Sequence, residues 1–184
     1  MSDEPGLKDK VLALDEALAA ARLPHAFGGA LALAYYAEPR STLDIDCNIF
    51  VEPSAIDRVE AVLAPLGIAR SEHADPQREG QGRWWWGSTP VDLFFTTDPI
   101  HEAMADRRRR VPFADRQIPI LAPEHLLVCK AAFGRPKDWI DIEQMLVVTD
   151  DLDPGEVRRW SSHLFAPDDP RSQRVEELLA RASG

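Results

Sequence analysis

The stretch GGALALAYYAEPRSTLDIDCNIFV, residues 28–51, runs from a glycine pair through an alanine- and leucine-rich segment into an alternating run that carries two aspartates. From Leu43 onward, period-two geometry sends Leu43, Ile45, Cys47, Ile49 and Val51 to one face of a strand and Asp44, Asp46, Asn48 and Phe50 to the other. The two acids therefore point the same way, with Cα atoms about 6–7 Å apart. At that separation they repel if partly buried, and they can share a cation. A solvent-facing side of an edge strand is the simpler account of such a pair. Upstream, Gly28 and Gly29 open the alanine-rich helix, where backbone N–H groups sit at the positive end of the helix dipole and no Cβ blocks an anion. A plain turn is the commoner meaning of a glycine pair, and its place one helix before the paired acids favours phosphate binding.

Working outward, Leu7, Val11, Leu14, Leu18 and Ala21 recur at helical spacing, so a helix is expected from Leu7 to about Leu23, ending before Pro24. His25 to Phe27 reads as a short extended piece, Ala30 to Ala37 as a helix, Leu43 to Val51 as a strand and Ala55 to Leu66 as a helix. Residues 71–82 have loop composition. RWWWGSTPVDLFFT, residues 83–96, reads as a hairpin with a tight turn from Gly87 to Pro90, and short strands are expected at 111–113 and 118–121. After Pro123 the pattern turns helical, over 124–133, 137–148, 154–164 and 171–182, with prolines at or near each start. Strands with interleaved helices followed by a run of helices predict an α+β protein. The expected division is an α/β core with its N-terminal helix over 1–122 and a C-terminal helical region over 123–184, packed as one compact domain, which suits a chain of 184 residues.

The hairpin bears on the acids. In PVDLFFT, Val91, Leu93 and Phe95 take one face while Asp92 shares the other with Phe94, so a lone carboxylate again sits in an apolar strand. If the two strands are neighbours, Asp44, Asp46 and Asp92 converge, and hard oxygen donors of that kind select Mg²⁺ or Mn²⁺. Alternation puts Trp84 and Trp86 on one face and Trp85 on the other, which favours core and rim packing over a base-stacking platform.

Bulk properties limit the partners. A formal net charge of −10 argues against general affinity for nucleic acid backbones. Arg107 to Arg110 form a dense cationic run, read as a solvated loop or helix end, or more sharply as a contact surface for an anionic substrate. No stretch approaches the roughly 18 apolar residues of a membrane span, and the polar start MSDEPGLKDK lacks the pattern of a secretory signal, so a cytoplasmic protein is expected. Cys47 and Cys129 lack metal-ligand spacing and read as reduced core thiols.

Taken together, the Gly-Gly turn, the helix, the Asp-x-Asp strand and a third acid on a later strand resemble the nucleotidyltransferase superfamily, with Asp44, Asp46 and Asp92 matching its three carboxylates. Within it, the chain looks most like the minimal bacterial type that includes AbiEii/AbiGii-like toxin nucleotidyltransferases. There an Arg-x-Thr precedes the Asp-x-Asp, matched by Arg40 and Thr42, and a downstream segment is matched by Lys130, Arg135, Lys137, Asp138 and Asp141. The resemblance implies a mixed sheet with flanking helices, and transfer of an NMP group from an NTP to a hydroxyl of RNA, protein or a small molecule. It also implies that Asp44, Asp46 and Asp92 hold Mg²⁺ or Mn²⁺, while Gly28, Gly29 and Lys130 cradle the triphosphate and Arg40, Thr42, Lys137 and Asp138 belong to the nucleotide site. A cognate antitoxin is a possible partner, and no membrane partner is expected. The alternative is a catalytically inactive module of the same fold, acting in binding or regulation. Read physically, Lys130 lies beside the apolar stripe of its helix and needs an anion, either a nearby carboxylate or the triphosphate. Asp138 and Asp141 share a face with Ile142 and Met145, although acids in a first turn also simply complement the helix dipole.

Overall fold

The computed structural model describes residues 4–72 and 75–182; residues 73–74 of the loop expected over 71–82, and the extreme ends of the chain, lie outside the described residues. The chain forms two compact units, one built from the chain up to Leu31 with Ser41–Leu121, the other from Ala32–Arg40 with the chain from Ala122 onward.

The first unit is organised by a sheet of β1 (His25–Phe27), β2 (Ile45–Ile49), β3 (Ile68–Arg70), β4 (Gln81–Trp86), β5 (Thr89–Phe95), β6 (Arg109–Phe113) and β7 (Arg116–Ile120), in the order β3-β4-β5-β2-β1-β7-β6. It is mixed: β2 runs parallel to β5 and β1 parallel to β7, and the remaining neighbours are antiparallel. The alternation read in the sequence is what the sheet uses. Ile45, Cys47 and Ile49 of β2 and Val91, Leu93 and Phe95 of β5 are all buried on one face. Each of the Ile, Val, Leu and Phe side chains among them contributes about 1.5–3 kcal/mol on burial. Helices α1 (Leu7–Ala20) and α3 (Ile56–Leu63) cover that face: Glu60 of α3 accepts from the Trp84 indole at 3.1 Å, and Lys10 of α1 donates to the Trp86 carbonyl at 2.9 Å. Trp84 and Trp86 are therefore core, while Trp85 on the other face is 41% exposed.

Several elements differ from expectation. A one-turn helix, α4 (Pro76–Glu79), interrupts the expected loop, because the Asp75 carboxylate caps the Arg78 N–H at 3.3 Å and Pro76 fits the first helical position. Helix α5 (Ile100–Arg107), where no element was expected, buries Ile100 and Met104, one turn apart. Helix α2 (Gly29–Leu33) is shorter than the expected 30–37.

The second unit is helical: α6 (Pro123–Phe133), α7 (Pro136–Val148), α8 (Pro154–Leu164) and α9 (Pro170–Ala182), each opening on proline. Its core is built by Leu127, Val128, Ile142, Met145, Val157 and Leu179, all at most 1% exposed. The Thr149 hydroxyl donates to the Tyr36 carbonyl at 3.1 Å, which ties the Ala32–Arg40 segment to this unit. The fold is thus α+β, a mixed sheet with flanking helices and a C-terminal helical region, as the sequence predicts. Among the described residues no helix is long and apolar enough to cross a membrane.

Candidate active site

The register of β2 and β5 brings the strand acids together. Asp46 is the direct partner of Asp92 across the parallel pair, so the two side chains leave the same sheet face on adjacent strands. Asp44 precedes β2 and is exposed; its N–H donates to the Thr42 hydroxyl at 3.2 Å, which ties Thr42 to the turn that leads into the strand. Against this face lies the glycine pair. The Gly28 N–H donates to the Asp46 carbonyl at 2.9 Å, and Gly29 adopts φ +52°. A Cβ added at Gly29 would fall 1.8 Å from Asp46 Oδ2, a distance no side chain can occupy, so glycine is required there both by conformation and by space.

On the other side of Asp92 stands a residue the sequence reading did not single out. Arg83 of β4 is paired in register with Asp92, and its guanidinium makes two bonds of 2.7 Å, Nε to Oδ1 and Nη2 to Oδ2. The bonds to Asp92 hold the guanidinium firmly protonated, and the fields of Asp44 and Asp46 add to the effect. Three oxygen-donor acids on one face suit a hard divalent cation, and the guanidinium among them is a cation standing in that same field. With both Asp92 oxygens turned to Arg83, no three carboxylate, imidazole or thiol groups close on a common point among the described residues.

The helical unit assembles the downstream motif into an ion-pair cluster. Lys130 is 5% exposed, and its ammonium finds a carboxylate: Asp141 Oδ2 at 2.6 Å, with Asp138 Oδ1 at 3.9 Å. Arg40 reaches the same Asp141 oxygen at 3.0 Å. Asp138 plays the helix-start role: it accepts from the Arg135 N–H at 3.1 Å and from the Arg135 guanidinium at 2.6 and 3.1 Å. Burial alone would raise its pKa, but the Arg135 bonds and charge outweigh burial and hold it below the usual value. Lys137 is exposed and, with Pro39, Arg40, Asp141 and Gln144, lines an open pocket of about 280 Å³.

The arginine run sits where a helix ends and an edge strand begins, in line with its reading as a helix end. Arg107 ends α5, Arg108 caps it by donating to the Ala105 carbonyl, and Arg109 and Arg110 begin the edge strand β6, separated from β2 by β7 and β1. Arg110 also donates to the Gln117 carbonyl at 2.9 Å, so part of the run serves the local backbone. Cys47 is fully buried, and burial pushes its thiol well above the ordinary range, which suits an inert core residue; Cys129 is partly exposed.

No protein-family model and no curated protein matches this chain. Solved structures do. ANT(2'')-Ia in complex with adenylyl-2''-tobramycin aligns with a TM-score of 0.57 at 18% identity, over 96% of this chain and 96% of that one. The lincosamide antibiotic adenylyltransferase LnuA, lincomycin-bound, gives 0.56 at 15% identity, over 80% of this chain and 100% of that one. An antigenic nucleotidyltransferase-like protein from Paracoccidioides brasiliensis gives 0.54 at 19% identity, over 98% and 87%. The fold is the one seen in these nucleotidyltransferases.

Proposed function

We propose that this chain is a metal-dependent nucleotidyltransferase that moves an NMP group from an NTP to an acceptor hydroxyl. The observation that carries the proposal is the Asp46–Asp92 pair in register on parallel strands, with Gly29 held against Asp46 so closely that no side chain fits. Asp44, Asp46 and Asp92 supply the oxygen ligands for Mg²⁺ or Mn²⁺, which when bound neutralises phosphate charge and acidifies the acceptor hydroxyl. The acceptor oxygen attacks the α-phosphorus, the bond to pyrophosphate breaks, and in this reading Asp92, once released by Arg83, takes the hydroxyl proton. Gly28 and Gly29 hold Asp46 in place, through the Gly28 N–H on its carbonyl and the missing Gly29 Cβ beside its carboxylate, and their turn is the backbone that faces the phosphates in this reading. Within the helical unit, Arg40 and Lys137 line the open pocket and are the cations it offers to an anion, and Lys130 acts through Asp141 by holding the carboxylate that fixes Arg40. Catalysis of this kind is chiefly positioning and charge neutralisation.

For the acceptor, the net charge of −10 favours a small basic molecule over a polyanion such as RNA. ANT(2'')-Ia, bound to adenylyl-2''-tobramycin, is a precedent with the same fold. Consumption of NTP is consistent with a cytoplasmic protein. One observation favours the inactive alternative, a nucleotidyltransferase-like binding module: both oxygens of Asp92 are already taken by Arg83. The test is incubation with each α-labelled NTP and Mg²⁺, with aminoglycosides, lincosamides, total RNA or cell protein as acceptor. Label transfer lost in Asp46→Asn and Asp92→Asn supports the enzyme. Absence of transfer to every acceptor, with nucleotide still bound, supports the module.

A further inference from the structure

We infer that Arg83 is a resident counter-ion of the acidic face, paired with Asp92 until a divalent cation displaces it, so that this one side chain sets how much metal the site needs. The inference rests on the reading of Asp44, Asp46 and Asp92 as metal ligands. Strand register carries it: Arg83, Asp92 and Asp46 stand abreast on β4, β5 and β2, a cation followed by two acids across three adjacent strands. An Arg–carboxylate pair with two parallel bonds is the strongest geometry such a pair can take. It takes one lone pair on each oxygen of Asp92 and sets a positive charge beside them, so Arg83 and a divalent ion compete for that carboxylate.

Arg83 is also free to leave. Its side chain is 46% exposed and that of Asp92 is 22% exposed, so the guanidinium can swing outward without opening the core. The Trp85 ring, 5.9 Å away and itself 41% exposed, offers it an aromatic surface on the same face. Loss of the guanidinium from Asp92 removes a positive charge from the site and frees two oxygens, and both effects favour a divalent cation. A site of this build keeps its acids neutralised without metal and binds metal more weakly than its ligands alone would allow.

The experiment is Mn²⁺ titration of the full chain, read by electron paramagnetic resonance, with thermal melts taken with and without Mn²⁺. Arg83→Met is expected to tighten Mn²⁺ binding about tenfold. The same variant melts lower than wild type without metal and gains more from Mn²⁺. Arg83→Lys, which keeps the charge but not the two-bond geometry, is expected to tighten binding about threefold and preserves the test if the methionine variant does not fold. Equal Mn²⁺ affinity in wild type and both variants, with binding lost in Asp46→Asn, overturns the role of Arg83 and leaves the metal site standing. Mn²⁺ binding that is absent from wild type and Arg83→Met alike, or unchanged by Asp46→Asn, overturns the metal reading itself.

Discussion

Gly29→Ala isolates the contact on which the acidic face is built. An alanine Cβ at this position falls 1.8 Å from Asp46 Oδ2, 2.5 Å from Cγ and 2.9 Å from Cβ, and the residue must also hold φ +52°. The left-handed backbone costs a non-glycine residue about 1–2 kcal/mol. Forcing Asp46 aside adds about 1–3 kcal/mol, the usual range for overpacking. Reduced freedom of the unfolded chain returns about 0.4–1 kcal/mol. The sum is a destabilisation of about 2–4 kcal/mol, which for a chain of this length lowers the melting temperature by about 6–12 °C. Gly28→Ala is the matched control. Its Cβ meets Asn48 Nδ2 at 3.2 Å and Leu121 Cδ1 at 3.4 Å with no positive φ, so the cost stays under about 1.5 kcal/mol.

The assay is a thermal melt followed by circular dichroism, combined with Mn²⁺ titration. Gly29→Ala is expected to lose both stability and metal affinity because the displaced group is Asp46. In an Asp46→Gly background all three contacts disappear while the strained φ of the substituted position remains, so the penalty should shrink to about 1–2 kcal/mol. A Gly29→Ala protein that melts within about 1 °C of wild type and binds Mn²⁺ equally would refute the reasoning.

Three further outcomes follow from the ion pairs and the arginine run. Lys130→Met leaves buried Asp141 with Arg40 alone, so a loss of about 3 kcal/mol is expected by urea unfolding, largely recovered in Lys130→Met/Asp141→Leu; equal losses in the single and double variants would contradict the pairing. Asp138→Asn should cost about 1–2 kcal/mol at pH 7. Because the folded Asp138 carboxyl is held below the ordinary aspartate value of 3.8, the stability it contributes is present above that value and lost as pH falls through the folded one; the gap between wild type and variant must therefore narrow below about pH 4, and a pH-independent gap would refute the assignment. Replacing Arg107 to Arg110 by Gln should leave transfer to a small basic acceptor unchanged and insensitive to salt, since the run lies at the far edge of the sheet; a salt-dependent loss of transfer would bring the polyanion acceptor back.

What was legible in the sequence was local. Alternation around Asp44 and Asp46 placed β2 and its two faces, and prolines placed the four helices of the second unit to within a residue or two of their starts. The parallel pairing of β2 with β5 joins strands more than 40 residues apart, and nothing in either strand alone specifies it. The Arg83–Asp92 pair was hidden by two turn residues. A turn spanning Gly87 to Pro90 sets Arg83 opposite Phe94, whereas the observed turn uses Gly87 and Ser88 alone and sets it opposite Asp92. Gly87 at φ +59° marks the tighter turn, a signal the sequence carries in its glycine. Lys130 shows a different limit. Its position beside an apolar stripe required an anion, but only the packing of α7 on α6 says that the anion is Asp141.

These observations meet in the charge balance of one sheet face. Asp46 and Asp92 are direct cross-strand neighbours, an arrangement that destabilises a sheet when both are ionised. A protein that uses such a pair for metal chemistry must also fold without metal, and Arg83 on the next strand supplies the neutralising charge at a register that brings its two donors onto both oxygens of Asp92. The same side chain can therefore mark a dead site, permanently closed by its own arginine, or a working one that exchanges arginine for metal. The turn at Gly29, which uses a left-handed φ open to glycine and leaves no room for a Cβ, sets the chain directly against Asp46. Under the proposed metal reading that turn fixes Asp46 as a ligand while Asp92 exchanges Arg83 for the ion, and Mn²⁺ titration of Gly29→Ala tests the link.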